Sequence, residues 1–127
     1  MRHPARLLAD RGGATAVEFA LILPALTLLL LGIMECGRLV WAQSTLQMAV
    51  EDAARCASVD TTVCGTAGAV QAYAAGRATG INATAGDFAL SAQPCGNQVS
   101  ATYPFTILSA QVFPTAITLT ARACFPA

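Results

Sequence analysis

Few residues in this chain could do chemistry. Five cysteines (Cys36, Cys56, Cys64, Cys95 and Cys124), one histidine (His3) and one carboxylate set in an apolar run (Glu18) make up the set. Glu18 stands five residues after Gly13, at the head of a segment that stays apolar to Met34. A charge in lipid costs roughly 2.5–3.5 kcal/mol at mid-bilayer on insertion scales, so an acid in a membrane helix calls for a reason. A plain anchor has no use for it; a helix that docks against other helices does. The cysteines point to a different chemistry. Four of them follow the apolar segment at separations that suit two disulfides in an oxidising compartment.

Other reactive chemistry finds no support. The spacing of Cys56 and Cys64 is wide for a zinc knuckle and no C-x-x-C occurs, so no metal is expected. With His3 as the single histidine, at the far N-terminus, no Ser-His or Cys-His nucleophile pair can be drawn near the cysteines. No glycine-rich run is followed by Lys-Ser/Thr, so a phosphate loop is not expected either. Asn82-Ala83-Thr84 fits a glycosylation sequon, a pattern short enough to arise by chance. The expectation is a non-enzymatic protein without cofactor.

Charge and length narrow the class further. Net charge is zero, and the positive residues are seven arginines spread from Arg2 to Arg122, which gives no footprint for nucleic acid. A mean hydropathy of +0.57 over 127 residues fits one small domain plus a segment solvated by lipid or by other subunits. Ala14–Met34 is 21 residues, about 31 Å of helix, which matches a hydrocarbon core of about 30 Å. Arg2, Arg6 and Arg11 precede this span and Glu35 follows it, so the N-terminus is expected in the cytoplasm. The run is long for a secretory h-region and no Ala-x-Ala closes it. Glu35 before Cys36 argues against a lipoprotein signal.

The stretch Arg11-Gly12-Gly13-Ala14-Thr15-Ala16-Val17-Glu18-Phe19-Ala20-Leu21-Ile22-Leu23-Pro24 resembles the processing site of type IV prepilins, and more narrowly the TadE-like proteins of tight-adherence pilus systems. Gly32-Ile33-Met34-Glu35-Cys36-Gly37-Arg38 is similar to the same family. The resemblance covers about residues 11–60. It implies a minor pilin or pseudopilin, cut between Gly13 and Ala14 by a prepilin peptidase so that Glu18 becomes the fifth mature residue. It also implies assembly with other pilin subunits at the bacterial inner membrane, for adhesion and biofilm formation. Glu18, Phe19 and Pro24 would then be assembly residues. Phe19 departs from the tyrosine usual in major pilins of these systems and agrees with the minor relatives. The rival reading is an uncleaved bitopic membrane protein whose periplasmic head binds a partner.

The elements that position these residues form an expected α+β fold. Residues 1–13 make a cytoplasmic leader, 14–34 the transmembrane half of a long helix, 35–58 its amphipathic half and 59–127 a small periplasmic or extracellular head. Pro24 should bend the helix. Leu39, Ala42, Leu46, Ala49, Ala53 and Ala57 recur at helical spacing, with Gln43, Gln47, Glu51 and Arg55 on another face. Glu51 and Arg55 are spaced as an i, i+4 pair. Thr61–Gly65 reads as a turn and Ala67–Ala78 as a short helix turning Val70, Tyr73 and Ala74 inward. Asp87–Gln93, Gln98–Ile107 and Ile117–Cys124 read as three antiparallel strands laid on the helix stripe. A hairpin of the last two brings Cys95 beside Cys124 and leaves Cys56 with Cys64, Cys36 staying unpaired.

Overall fold

The structure, a computed structural model, describes residues 12–108 and 116–127. Most of the expected leader, with Arg2, Arg6 and Arg11, therefore lies outside the described residues. The elements in chain order are helix α1 (Gly12–Val59), helix α2 (Ala67–Arg77), a 3-10 turn (Ala85–Asp87) and strands β1 (Phe88–Gln93), β2 (Gly96–Thr106) and β3 (Ala116–Phe125). This is the expected α+β fold. The chain divides into two units, Met1–Cys36 and Gly37–Ala127.

The described part of the first unit is helix alone. Its large apolar side chains, from Val17 to Met34, are all exposed, between 46% (Leu23) and 73% (Leu21). The helix is long and apolar enough to cross a membrane. Pro24 sits inside it, where it withdraws one backbone donor and leaves the Ala20 carbonyl without its usual partner. Thr27 lies one turn on and donates its hydroxyl to the Leu23 carbonyl at 2.8 Å, so this polar side chain needs no water. The helix starts two residues ahead of the expected Ala14. Gly12 and Gly13 stand in its first turn, away from the helix interior where the entropic cost of glycine is felt.

The second unit packs the remainder of α1 and α2 on one face of the sheet. Order β1-β2-β3 is an antiparallel meander, with Val99 opposite Leu90 and Ala123. Ala42, Leu46, Ala49 and Ala53 are buried, as the helical spacing requires, while Leu39 and Ala57 at the two ends are partly covered. They meet Val99, Ala101, Leu119 and Ala121, the inward positions of β2 and β3. Small alanine side chains on both surfaces let helix and sheet approach closely. Phe88, Val70 and Ala74 fill the space toward α2. α2 is started by Thr66, whose hydroxyl accepts from the Ala69 N–H at 3.2 Å.

Two details differ from the expected pattern. Gln43 and Gln47 are not a purely solvated face. Gln43 Nε2 donates to the Thr120 carbonyl at 2.9 Å and Gln47 Nε2 to that of Arg122 at 3.4 Å. An edge strand carries carbonyls without a neighbouring strand, and these two glutamines, one helical turn apart, supply donors to β3. Glu51 takes its hydrogen bond from Gln47 Nε2 at 2.8 Å, one turn back, rather than pairing forward with Arg55.

Pro94 and Cys95 link β1 to β2, and Gln93 pairs with Gly96 across that link. Gly96 has φ +122°, and a Cβ there would overlap the Phe125 carbonyl oxygen and crowd Pro126 and Ala127. Glycine is required on both counts. Gly96→Ala should destabilise the second unit by more than about 1 kcal/mol, whereas Ala at a compatible site would stabilise it slightly. Thermal unfolding of the oxidised protein in detergent micelles reads this directly, with Gly76→Ala on α2, where a Cβ would meet nothing within 4 Å, as the control.

Candidate functional site

The candidate site is the start of α1. Gly13, Ala14, Glu18, Phe19 and Pro24 all belong to this helix, and Gly13 through Phe19 are exposed. A Cβ on Gly13 would touch nothing within 4 Å, so no intramolecular packing demands glycine there. Glu18 is exposed among apolar neighbours, and among the described residues no group pairs with its carboxylate. Phe19 is 65% exposed. These residues share one helix end, yet the fold does not gather them into a pocket. Their common property is availability: whatever binds this helix must be another molecule or the lipid around it. Gly32 and Gly37 are likewise not required by contacts within the chain, since a Cβ on either meets nothing within 4 Å.

The cysteines carry the covalent part of the structure. Cys56 is joined to Cys64, with Cα atoms 5.7 Å apart, and Cys95 to Cys124, with Cα atoms 6.2 Å apart. Both are the pairs expected from the hairpin arrangement. Cys36 is free and exposed. Among the described residues no group of three His, Cys, Asp or Glu side chains could hold a metal ion.

The Cys56–Cys64 loop is built around Asp60. Its Oδ1 accepts from the Thr62 hydroxyl at 2.5 Å, the Thr62 N–H at 3.0 Å and the Val63 N–H at 3.2 Å. The Cys64 N–H returns to the Asp60 carbonyl at 2.8 Å, closing the turn on the disulfide. The Thr62 hydroxyl above all, then the Val63 and Thr62 N–H groups, hold the Asp60 carboxyl below its ordinary value. At the other end of α2, Arg77 Nη2 lies 2.6 Å from Asp52 Oδ2, tying α2 to α1 at an exposed position. Asp52 raises the Arg77 pKa further.

The model of the TadE-like protein family matches residues 13–55. Over that span, from the glycine of the candidate cleavage site to the penultimate turn of α1, the chain is similar to TadE-like proteins. No curated protein and no solved structure matches the chain.

Two outcomes follow for the stapled unit. Reduction should lower its stability, and the Cys95–Cys124 bridge, with the longer loop, should account for more of the loss. Chain-entropy reasoning gives about 3.6 kcal/mol for it against about 2.5 for Cys56–Cys64. Denaturant unfolding of the single-bridge variants Cys95→Ala/Cys124→Ala and Cys56→Ala/Cys64→Ala measures the order. Because the Asp60 carboxyl is lowered in the fold, its contribution is present above the ordinary carboxylate value and is lost as pH falls through the folded value. Asp60→Asn should therefore flatten the acid limb of the stability–pH curve and leave the neutral limb parallel to wild type.

Proposed function

We propose that this chain is a minor pilin or pseudopilin of a tight-adherence pilus, a non-enzymatic subunit made as a single-pass inner-membrane protein. The observation that carries the reading is the TadE-like match over residues 13–55. Within it lies an exposed, apolar helix that is long enough to span the bilayer. A TadE-like match suggests a component associated with Tad pili, in contact with other pilin subunits and with the membrane.

The finer steps rest on chemistry. A prepilin peptidase cuts between Gly13 and Ala14, since a glycine ahead of the scissile bond leaves the backbone open to approach. The mature helix, apolar on all sides, exchanges lipid for neighbouring pilin helices at small net cost. Glu18 gives this exchange a direction, because an opposing charge such as the new N-terminal amine of a neighbour relieves its burial. The N-terminus is cytoplasmic and the second unit is periplasmic or extracellular, where its disulfides are stable. In the assembled pilus it would present a surface for adhesion and biofilm formation.

Processing is tested by intact mass in cells with and without a prepilin peptidase. The expected product begins at Ala14 in the first strain only; a full-length chain in both overturns the reading. Gly13→Ala should retain some cleavage and a bulky residue should block it. Since Gly13 is unpacked in this chain, such a block reports on the peptidase rather than on folding.

Assembly is tested at Glu18. Glu18→Ala and Glu18→Gln should both be made, cleaved and inserted, with insertion unchanged or slightly improved. Piliation and adherence should nonetheless be lost. The glutamine variant keeps shape and hydrogen bonding, so its failure isolates the charge. Normal piliation with both variants removes Glu18 from the mechanism.

A further inference from the structure

One end of the second unit carries exposed apolar side chains from three separate parts of the chain. On α1, Val40 is 64% and Trp41 63% exposed. Just past the end of β2, Leu108 is 70% exposed, and Ile117 near the start of β3 is 36% exposed. Their common location follows from contacts inside the unit. Arg38 lies over the Phe105 ring, 5.4 Å from its centroid, and Phe105 pairs with Ile117 across β2 and β3. Leu108 is three residues beyond Phe105. The apolar side chains thus flank the point where the chain enters the unit at Gly37.

Trp41 is held in place. Its indole lies against the backbone of Gly80, whose φ is +83°; a Cβ there would stand 3.2 Å from the indole Nε1. The ring also forms one wall of a groove of about 510 Å³ with Gly37, Val40, Ser44 and Met48, and Arg77 contributes to the lining as well. A large indole fixed in an exposed position needs an environment that is apolar on one side and wet on the other.

Chain distance supplies that environment. Trp41 is seven residues past Met34, the last apolar residue of the spanning segment, which is about 10 Å of helix. Headgroups add roughly 5–8 Å to each side of the hydrocarbon core. Helical side chains lean back toward the N-terminus, so the ring reaches nearer to the bilayer than its Cα does. Tryptophan is enriched in this layer because its body is apolar and its N–H is polar.

We propose that this end of the second unit, with Val40 and Trp41 from α1, Leu108 just past β2 and Ile117 from β3, is seated in the phospholipid headgroup layer. The occupant of the surface is the bilayer that holds the chain before assembly. The proposal rests on the single-pass membrane reading. It adds that the folded unit docks on the membrane instead of standing clear of it.

The chain has one tryptophan, so its fluorescence reports on this position alone. The full-length oxidised protein is reconstituted into phosphatidylethanolamine–phosphatidylglycerol vesicles, with and without phosphatidylcholine spin-labelled at the headgroup or upper acyl chain. Trp41 emission should be blue-shifted, strongly quenched by the labelled lipid and shielded from aqueous iodide. In a Trp41→Phe background, Leu108→Trp should behave in the same way. Emission that is open to iodide and indifferent to labelled lipid, from protein that floats with the vesicles, overturns the proposal while leaving the membrane reading intact. So does shielding that disappears when the protein is diluted in lipid, which would make a second copy the occupant. Iodide access to the indole of the Leu108→Trp variant likewise overturns the two-sided seat. Protein that fails to float overturns both the proposal and the membrane reading beneath it.

Discussion

The rest of the structure depends on one constraint: the first part of α1 has its apolar side chains uncovered by its own chain. Burial of a large apolar side chain is worth roughly 1.5–3 kcal/mol. A dozen such side chains between Val17 and Met34 are left exposed. Their combined demand exceeds the roughly 5–15 kcal/mol by which a whole domain is typically stable. Water is therefore excluded as the working solvent of this segment. Lipid satisfies it, and so does a sheath of similar helices. Because the segment is apolar on every side, neither environment fixes a preferred face, and polar features such as Glu18 and Thr27 become the points of distinction. Thr27 is satisfied locally by the Leu23 carbonyl. The Glu18 carboxylate has no such partner among the described residues.

The second unit answers the opposite requirement. It must hold together around a core rich in alanine, which buries little area per residue. Close helix–sheet approach recovers some of this deficit through dispersion contacts. Two further devices compensate for the small core. Gln43 and Gln47 give the open edge of β3 donors from within the molecule, so that edge is less available to another strand. Cys56–Cys64 fixes the end of α1 to the start of the following turn, and Cys95–Cys124 locks the hairpin link to the last strand. Ser58 and Asn97 join these two stapled regions: Asn97 Nδ2 donates to Ser58 Oγ at 3.1 Å, and Ser58 Oγ donates to the Phe125 carbonyl at 3.3 Å.

Much of this was legible in the sequence, because the governing patterns are local. The apolar run, the alanine recurrence on α1 and the alternation in β2 and β3 each declare an element by its period. The disulfide pairing then follows from placing two strands side by side. What escaped is what depends on register and on distant parts of the chain. Thr45, Val50 and Ala54 are buried besides the expected stripe, since the sheet covers one side of α1 and α2 another, widening the buried arc. Gln43 and Gln47 look solvent-facing until the carbonyls of Thr120 and Arg122 are known to lie opposite them. Gly96 is constrained by Phe125, Pro126 and Ala127, which are remote in sequence, so no local signal marks it. At the start of α1 the order is reversed. The sequence pattern makes Gly13 and Glu18 prominent, and the fold gives them no packing role.

That reversal bears on how such a subunit could work. A residue used in folding is constrained by its own chain, whereas one reserved for assembly must remain accessible until a partner arrives. The second unit keeps its polar needs internal: its buried polar side-chain atoms are partnered among the described residues, the free Cys36 lies outside it, and the β3 edge is met by donors from its own helix. The described part of the first unit satisfies Thr27 within its own helix and leaves its apolar surface open. A helix so divided would let the folded unit stay intact while the apolar half changes neighbours. In the pilus role proposed for it, assembly would then substitute pilin helices for lipid around Val17–Met34 without requiring the second unit to unfold. The charge of Glu18 would be the feature for which lipid and protein neighbours are least equivalent.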